Sequence, residues 1–335
     1  MKILFDHPNP FLLAHGGFQT QIEQTKAGLE SAGVGVEYLR WWDDKQRGDI
    51  IHYFGRPTPT YINFAHQKKI KLVMAQLLTG LGSRSDLTRF FQRQAIKSAD
   101  VFLPKIVSSR FGWETFQLAD ACIALTDWEA HLMKEMFRAP SEKIYVLPNG
   151  VENAFLKDAV EERGQWLVCT ATITPRKRVL ELSQAAVQAR VPLWIVGSAY
   201  SESDFYAQRF FELAKNNSQF IRYEGAVNDR EKLAKIYRQA RGFALLSTME
   251  TRSISAEEAA ACGCPLLLSN LQWAKSVFKE NATYCPIKSA NETAIFLKRF
   301  YEQVPRLPVP PKPINWAEVG LRLKSIYEDL LKTSR

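Results

Sequence analysis

Short apolar runs alternate with segments of helical periodicity along nearly the whole chain. Residues 2–5 form the first apolar run, and a glycine-containing turn follows it. The next segment carries apolar residues at Phe18, Ile22 and Leu29, a spacing that places them on one face of a helix. A glycine then marks the end of that helix. The chain is therefore predicted to begin with a strand, a glycine turn and a helix.

The same alternation recurs to the end of the chain. Strands that alternate with amphipathic helices predict βαβ units and a doubly wound parallel sheet. A length of 335 residues corresponds to roughly two domains of about 150 residues each. We predict an N-terminal Rossmann-like domain over 1–151, a C-terminal Rossmann-like domain over 152–310, and a final helix in 311–335 after a proline-rich link.

Composition excludes several classes of protein. With 46% hydrophobic and 24% charged residues, the chain can fill two cores and is not disordered. No apolar run approaches the roughly 18 residues of a membrane-spanning helix. The apolar stretch at the N-terminus is too short for a signal peptide. The five cysteines show no metal-binding spacing and are expected to be reduced. These features predict a cytoplasmic protein without a metal site.

The segment 242–269 combines this architecture with two acidic residues. An apolar run is followed by a polar turn, an alanine-rich helix, Gly263 and a second apolar run. Gly263 is expected to be a left-handed cap at the end of the helix. Glu250 lies in the turn and Glu258 in the helix, at a spacing that predicts both at the carboxyl edge of the sheet, where open α/β sheets bind ligands. A purely structural explanation is also open, since acids near a helix start are favoured by its dipole.

The two glutamates are followed by Cys262-Gly263-Cys264-Pro265. This order resembles the Glu-x7-Glu signature of retaining glycosyltransferases of the family 4 type, also called glycosyl transferases group 1. Residues 148–151, which read PNGV, resemble the turn that joins the two domains of that family. The chain departs from the family at 251–255, where two glycines and a proline are usual. The resemblance implies the GT-B fold: α/β, with two Rossmann-like doubly wound domains that face each other across a cleft. It also implies that the N-terminal domain binds the acceptor, that the C-terminal domain binds the nucleotide sugar, and that the final helix crosses back to the N-terminal domain.

The resemblance also implies roles for particular residues. Lys177 matches the lysine that binds the donor diphosphate, Glu250 is placed against the donor sugar, and Glu258 against the ribose hydroxyls. Glu250 and Lys177 are the predicted catalytic residues. The predicted donor-binding residues are Gly16, Gly17, Arg176, Arg178, Gly197, Val227, Arg252, Ser253, Ile254 and Glu258.

One cation of the family pattern is absent, because Thr172 stands where the family has an arginine. Residues 176–178 are three cations behind Pro175, at a predicted helix start. Cations at that end of a helix are repelled by the dipole, so their grouping favours an anionic ligand. We expect Arg176, Arg178 or Arg252 to supply the missing charge.

The net charge of +9 is concentrated in one region. Between residues 56 and 110 there are ten basic residues and two acidic ones. Within this region, 84–113 is predicted to contain a helix capped by Ser85 or Asp86, and Leu87, Phe90, Phe91 and Gln94 line one side of it. Such a helix fits peripheral contact with an anionic membrane, at the inner face of the membrane for a cytoplasmic protein. A core-facing apolar stripe with a solvated basic back is the alternative.

The function predicted from these features is transfer of a sugar, of the hexosyl type, from a nucleotide-diphosphate sugar to a hydroxyl of a glycan or lipid-linked acceptor. The resemblance implies retention of configuration, polysaccharide or glycolipid biosynthesis, and no cofactor besides the nucleotide-sugar co-substrate. No Asp-x-Asp motif is present, in agreement with a reaction that needs no metal. The alternatives are another GT-B enzyme, such as a phosphorylase or a nucleotide-sugar epimerase, and a basic nucleic-acid- or membrane-binding protein with an inactive cleft. Nucleic acid is the less expected partner.

Overall fold

The computed structural model describes residues 1–8, 10–11, 16–102, 112–159 and 161–332, without the side chains of 100 and 101. The chain divides into two compact units. The first comprises Met1–Gly150 together with Trp316–Arg335, and the second is Val151–Asn315. The C-terminal helix thus packs with the first unit, and the second unit is a single continuous stretch of chain.

The first unit contains a six-stranded parallel sheet in the order β2-β1-β3-β4-β5-β6. Its four inner strands are buried through most of their length, as a sheet covered by helices requires. The strands are β1 Lys2–Asp6, β2 Gly35–Tyr38, β3 Ile50–Tyr53, β4 Lys71–Met74, β5 Ala121–Ala124 and β6 Ile144–Val146. The helices are α1 Gly17–Ser31, α2 Pro59–Gln67, α3 Thr79–Gly82, α4 Asp86–Phe102, α5 Thr115–Leu118 and α6 Asp127–Phe137, with the C-terminal helix α14 Trp316–Lys332.

Two glycines allow the first and last helices of this unit to pack closely. A Cβ atom on Gly28 of α1 would clash with the carbonyl oxygen of Trp316, and a Cβ on Gly320 of α14 would clash with the carbonyl oxygen of Gly28. The helix backbones therefore touch at this point. The contact seats Leu323 and Tyr327 of α14 in the core.

A buried histidine lies beside this helix pair. The ring of His52 in β3 is fully buried, with Nδ1 2.5 Å from the Tyr327 hydroxyl oxygen and the ring stacked on Phe54 at 4.4 Å. Burial lowers the pKa of His52 to about 3, so the ring is neutral at physiological pH. Its position indicates a structural role.

The second unit contains six parallel strands in the order β12-β11-β10-β7-β8-β9. Numbered within the unit, this is the Rossmann order 3-2-1-4-5-6. The strands are β7 Leu167–Thr170, β8 Leu193–Val196, β9 Ile221–Tyr223, β10 Gly242–Leu245, β11 Leu266–Ser269 and β12 Thr283–Cys285. The helices are α7 Asn153–Leu156, α8 Val179–Ala189, α9 Phe205–Asn216, α10 Arg230–Gln239, α11 Ile254–Ala261, α12 Gln272–Phe278 and α13 Ala290–Gln303.

The helix after β7 begins later than the proline suggested. Pro175 lies in a turn in which the backbone N–H groups of Lys177 and Arg178 both donate to the Thr174 carbonyl at 3.1 Å. The backbone of Arg178 is in the left-handed region, with φ 55°, and α8 starts only at Val179. The helix therefore starts four residues later than Pro175 suggested, and the three cations lie in the turn directly before its first residue.

Both ends of α11 are capped. At its start, Ser253 is the N-cap and accepts from the backbone N–H of Ala256 at 3.4 Å. Gly263 follows the helix in the left-handed region, with φ 73°. A residue without Cβ is favoured at such a position, as the sequence predicted.

Helix α4 presents its apolar residues outward. Leu87, Phe90 and Phe91 are 67%, 53% and 63% exposed, whereas Ile96 is buried. The core-facing stripe considered from the sequence is therefore wrong for these three side chains. The capping prediction is confirmed in part, because Ser85 Oγ accepts from the backbone N–H of Thr88 at 3.3 Å. Residues 103–111 of the predicted basic segment lie outside the described residues.

Two further findings concern the chain as a whole. Among the described residues, no helix has both the length and the apolar character needed to cross a membrane. The five cysteines are buried free thiols.

Candidate functional site

The strand order of the second unit places two loops side by side. Strands β7 and β10 are neighbours at the centre of the sheet, although the chain continues from them to opposite sides. This is the topological switch point of the sheet, and ligands of open α/β sheets bind at the carboxyl ends of the strands that flank it. Residues 171–178 follow β7 and residues 246–253 follow β10.

A carboxylate and two cations meet at this point. Glu250 Oε1 accepts from Lys177 Nζ at 2.5 Å and from Arg176 Nη1 at 2.9 Å. The side chains of Glu250 and Lys177 are 10% and 13% exposed, and that of Arg176 is 43% exposed. The sequence predicted Glu250 and Lys177 as partners in one site, and the structure brings them together with Arg176. We call these three residues the switch-point cluster.

Backbone bonds fix the two loops to each other. The carbonyl oxygen of Arg176 accepts from the backbone N–H of Thr248 at 2.9 Å and from Ser247 Oγ at 3.1 Å. The Arg176 guanidinium also donates to the Met249 carbonyl at 2.7 Å. The loop after β10 therefore holds the two cations in place, which reduces the cost of arranging them around an anionic ligand.

Glu258 lies in α11 and has different partners. Its Oε1 pairs with Arg230, and its Oε2 accepts from the Tyr237 hydroxyl at 3.2 Å. Burial raises the pKa of Glu258 to about 7, against the opposing effect of the Arg230 charge. Arg230 also forms an ion pair with Glu152 at 2.7 Å and lies over the Phe155 ring, 4.8 Å from its centroid. The glutamate is thus held in a network rather than exposed.

The other two candidate arginines are arranged differently from Arg176. Arg252 Nε donates to Glu257 Oε1 at 2.8 Å, and Glu257 is itself 2% exposed. Burial raises the pKa of Glu257, and the Arg252 charge opposes the shift. Arg178 occupies the N-cap position of α8 without a capping hydrogen bond from its side chain, and its Nε is buried without a hydrogen bond. Arg176 shares its acceptor atom, Glu250 Oε1, with Lys177.

The remaining predicted residues of this unit shape the carboxyl edge of the sheet. Gly197 follows β8 with φ 145°, and a Cβ there would clash with the Ala171 carbonyl. Its N–H donates to the Gly225 carbonyl at 2.7 Å, so the loops after β7, β8 and β9 meet at this glycine. Val227 packs partly against the core. Ser253 and Ile254 form the N-cap and first residue of α11.

Gly16 and Gly17 belong to the first unit. Gly16 is the N-cap of α1 with φ 119°, and a Cβ there would meet open space. The constraint on Gly16 is therefore its positive φ. Gly17 is the first residue of α1. The pair forms the start of the helix that follows β1, as the sequence predicted.

Sequence reasoning did not identify Arg230 and Tyr237 as partners of Glu258. Both lie in α10, and Asp229 caps this helix by accepting from the backbone N–H groups of Glu231 and Lys232. The Asp-Arg-Glu run at the helix start was a visible signal, but it did not indicate which neighbour Arg230 would reach. The described residues contain no group of three or more His, Cys, Asp or Glu side chains that could hold a metal ion.

Two parallel six-stranded sheets with interleaved helices, one of them in Rossmann order, define the GT-B fold of glycosyltransferases. Residues 152–302 match the family model described as glycosyl transferases group 1. A search of curated protein sequences finds no significant match.

Solved structures confirm the fold over the full chain. Anabaena HepE in complex with UDP and glucose is 12% identical, with a TM-score of 0.69 over 98% of this chain and 99% of that one. Sucrose-phosphate synthase from Thermosynechococcus elongatus is 16% identical, with a TM-score of 0.70 over 99% of both chains. The lipopolysaccharide outer core galactosyltransferase WaaB is 12% identical, with a TM-score of 0.63 over 100% of both chains. The predicted GT-B fold is confirmed.

Proposed function

We propose that this protein is a retaining glycosyltransferase of the family 4 type, which transfers a hexosyl group from a nucleotide-diphosphate sugar to a hydroxyl of a glycan or lipid-linked acceptor. The observation that carries the proposal is the switch-point cluster, Glu250 with Lys177 and Arg176, at the carboxyl edge of a Rossmann-ordered sheet. The family match over 152–302, which contains all three residues, supports it. The pathway would be polysaccharide or glycolipid biosynthesis.

The chemistry required of the site is stabilisation of charge on a leaving group. The bond between the anomeric carbon and the diphosphate oxygen breaks, and the acceptor oxygen forms the new bond on the same face. The acceptor proton passes to the departing phosphate. Lys177 and Arg176 supply two positive charges for the diphosphate, so in this proposal no metal ion is required.

Glu250 has two roles in this account. Its Oε1 positions the two cations before the donor arrives, and its side chain is placed against the donor sugar. Glu258 is proposed to accept hydrogen bonds from the ribose hydroxyls. A carboxylate has about four acceptor positions, so the bonds from Arg230 and Tyr237 leave capacity for a hydroxyl. Gly16 and Gly17 are proposed to face the donor phosphates.

A survey of nucleotide sugars tests the proposal. The protein is incubated with UDP-, GDP-, ADP- and dTDP-sugars, and release of nucleoside diphosphate is measured. UDP-glucose is the first candidate, because a structure of HepE, which shares this fold, contains UDP-glucose. We expect slow hydrolysis of one donor without any acceptor. Tight DNA binding with no hydrolysis of any donor would favour the nucleic-acid-binding alternative.

Arg176 is proposed to supply the positive charge of the arginine that the family has at the position of Thr172. We expect Arg176→Ala to weaken donor binding about tenfold, the effect of ~1.4 kcal/mol, without lowering the melting temperature. Arg252→Ala should instead destabilise the fold by about 1–3 kcal/mol, because it leaves the buried Glu257 without this partner. Donor titration and thermal unfolding of both variants separate the two roles. Equal loss of donor affinity without loss of stability in Arg252→Ala would contradict this assignment.

We also propose peripheral contact with an anionic membrane through α4, at the cytoplasmic face. Its exposed Leu87, Phe90 and Phe91 lie in a stretch, 84–99, with four basic residues and one acidic residue. This pairing of apolar and basic side chains fits the interface of an anionic bilayer.

Vesicle binding tests this contact. We expect the protein to sediment with phosphatidylglycerol vesicles and not with phosphatidylcholine vesicles, and Phe90→Ser together with Phe91→Ser to reduce sedimentation several-fold. Phe205→Ser changes a phenylalanine that is 73% exposed in the second unit, and serves as the control. Unchanged sedimentation of the double variant would exclude α4 as the contact.

A further inference from the structure

The loop between β2 and β3 exposes two adjacent tryptophans. Trp41 and Trp42 are 74% and 83% exposed, although tryptophan is highly buried on average. They follow the carboxyl end of β2, at the edge of the first sheet where ligands of such folds bind. Neighbouring exposed aromatic side chains mark interaction sites on soluble proteins. The pair belongs to neither the switch-point cluster nor α4.

Hydrogen bonds hold the loop that carries these tryptophans. The Arg40 guanidinium donates to Glu37 Oε2 at 3.0 Å and to Asp43 Oδ2 at 2.8 Å. Gln46 Oε1 accepts from the backbone N–H of Arg40 at 2.8 Å, and its amide nitrogen donates to Glu37 at 3.0 Å and to the Tyr38 carbonyl at 3.1 Å. Ordering the loop therefore costs little when a ligand binds, because the order is already present.

Trp41 is also tied to the switch point of the first sheet. Its Nε1 donates to Asp6 Oδ1 at 3.3 Å. Asp6, at the end of β1, is 4% exposed and also accepts from the Tyr61 hydroxyl at 2.6 Å and from the backbone N–H of His7 at 2.8 Å. The polar atom of Trp41 is thus engaged while most of the ring surface remains open. A rigid, oriented indole with open surface is suited to stacking.

The local charge indicates what stacks there. Residues 37–49 contain four acidic and three basic residues, and the carboxylate of Asp6 accepts a hydrogen bond from Trp41. A phosphate backbone or an anionic bilayer would not be attracted to this surface. A neutral sugar has apolar C–H faces that can pack on indole rings, and hydroxyls that can hydrogen-bond with polar side chains of the loop. Both components of such a ligand have partners here.

We infer that Trp41 and Trp42 form a binding site for the sugar rings of a neutral glycan, which is the acceptor. The inference rests on the proposed function, since it selects a glycan from the two acceptor classes and assigns residues to it. Asp6 acts as a positioning residue that orients Trp41. The sugar donor is not part of this site.

The test measures glycan binding in the absence of any nucleotide sugar. Maltohexaose, cellohexaose, xylohexaose and chitohexaose are titrated into the full chain by calorimetry. We expect at least one to bind, and Trp41→Ala and Trp42→Ala each to bind it about tenfold more weakly, a factor that corresponds to ~1.4 kcal/mol. Phe64→Ala removes a ring of the first unit that is 60% exposed and should leave binding unchanged.

Further variants separate stacking from folding. Trp41→Phe keeps an aromatic ring but loses the bond to Asp6, so its affinity should lie between those of the wild type and Trp41→Ala. Thermal unfolding of all variants should match the wild type. The inference is overturned if none of the four hexasaccharides binds the wild type, or if the tryptophan variants bind as well as it does. Loss of phosphatidylglycerol vesicle binding in the tryptophan variants, with glycan binding intact, would also overturn it.

The outcome is distinguishable from that of the proposed function. Lys177→Ala should lose hydrolysis of the nucleotide sugar and bind the glycan as the wild type does, because Lys177 belongs to the switch-point cluster and not to this site. Glycan binding without hydrolysis of any donor would support the glycan site and reject the transferase. Hydrolysis of a donor without glycan binding would support the transferase and reject the glycan site.

Discussion

Replacement of Lys177 by alanine is expected to lower kcat/KM for the nucleotide sugar by about 10²–10³, the usual effect of removing one preorganised donor to a developing negative charge. The Lys177 side chain is 13% exposed and its Nζ lies 2.5 Å from Glu250 Oε1, so its position is fixed before the donor binds. Arg176 remains beside Glu250 in this variant, so the carboxylate keeps a partner and the fold should be retained. Release of nucleoside diphosphate is the measurement.

Matched variants sharpen this prediction. Lys177→Arg keeps the charge but changes the donor geometry and should recover part of the activity. Glu250→Gln should lower kcat more than it raises KM, because the cations remain but lose the carboxylate that positions them. Lys298→Ala removes an exposed lysine of α13 and should have no effect. Activity of Lys177→Ala within about threefold of the wild type would exclude the assigned role, since that factor is below 1 kcal/mol.

Replacement of Gly320 by leucine is expected to destabilise the first unit by more than about 3 kcal/mol, the upper part of the range for overpacked contacts. Even a Cβ at this position would clash with the Gly28 carbonyl, so α14 would have to move away from α1. Its buried Leu323 and Tyr327 would then lose contacts. The melting temperature of the first unit should fall by at least roughly 6–12 °C, since ~1 kcal/mol corresponds to about 2–4 °C in a unit of this size.

A second pair of variants provides the control. Gly320→Ala should be destabilising by about 1–3 kcal/mol. Gly80→Ala in α3 should be neutral or slightly stabilising, because a Cβ there would meet open space and alanine favours helix. Thermal and denaturant unfolding measure both. Equal stability of the two alanine variants would show that the helix contact does not require Gly320.

The sequence was most informative where local signals and parallel-sheet geometry agree. Lys177 and Glu250 are far apart in the chain, but both follow strands of a βαβ series, and the carboxyl ends of neighbouring parallel strands share one edge. The resemblance to a known family supplied the pairing. The left-handed Gly263 follows from short-range chemistry that a sequence displays directly.

Long-range partner choice could not be predicted in the same way. Whether Arg176, Arg178 or Arg252 would join Lys177 depends on the left-handed turn at Arg178 and on the position of Glu257. The pairing of Arg230 with Glu258 likewise depends on how α10 packs beside α11. Each choice is made by tertiary packing that no local pattern encodes.

The orientation of α4 illustrates a related limit. Its helical periodicity is the same whether Phe90 and Phe91 face a core or solvent, and only the structure shows that both are exposed. The close approach of Gly28 to Gly320 is equally invisible, because each glycine alone is an unremarkable residue within a helix.

The central claim is that Lys177 and Arg176 bind the donor diphosphate, and a crystal structure with the nucleoside diphosphate product bound tests it most directly. We expect diphosphate oxygens within about 2.7–3.2 Å of Lys177 Nζ and the Arg176 guanidinium. A diphosphate bound elsewhere, with both cations still paired with Glu250, would contradict the account.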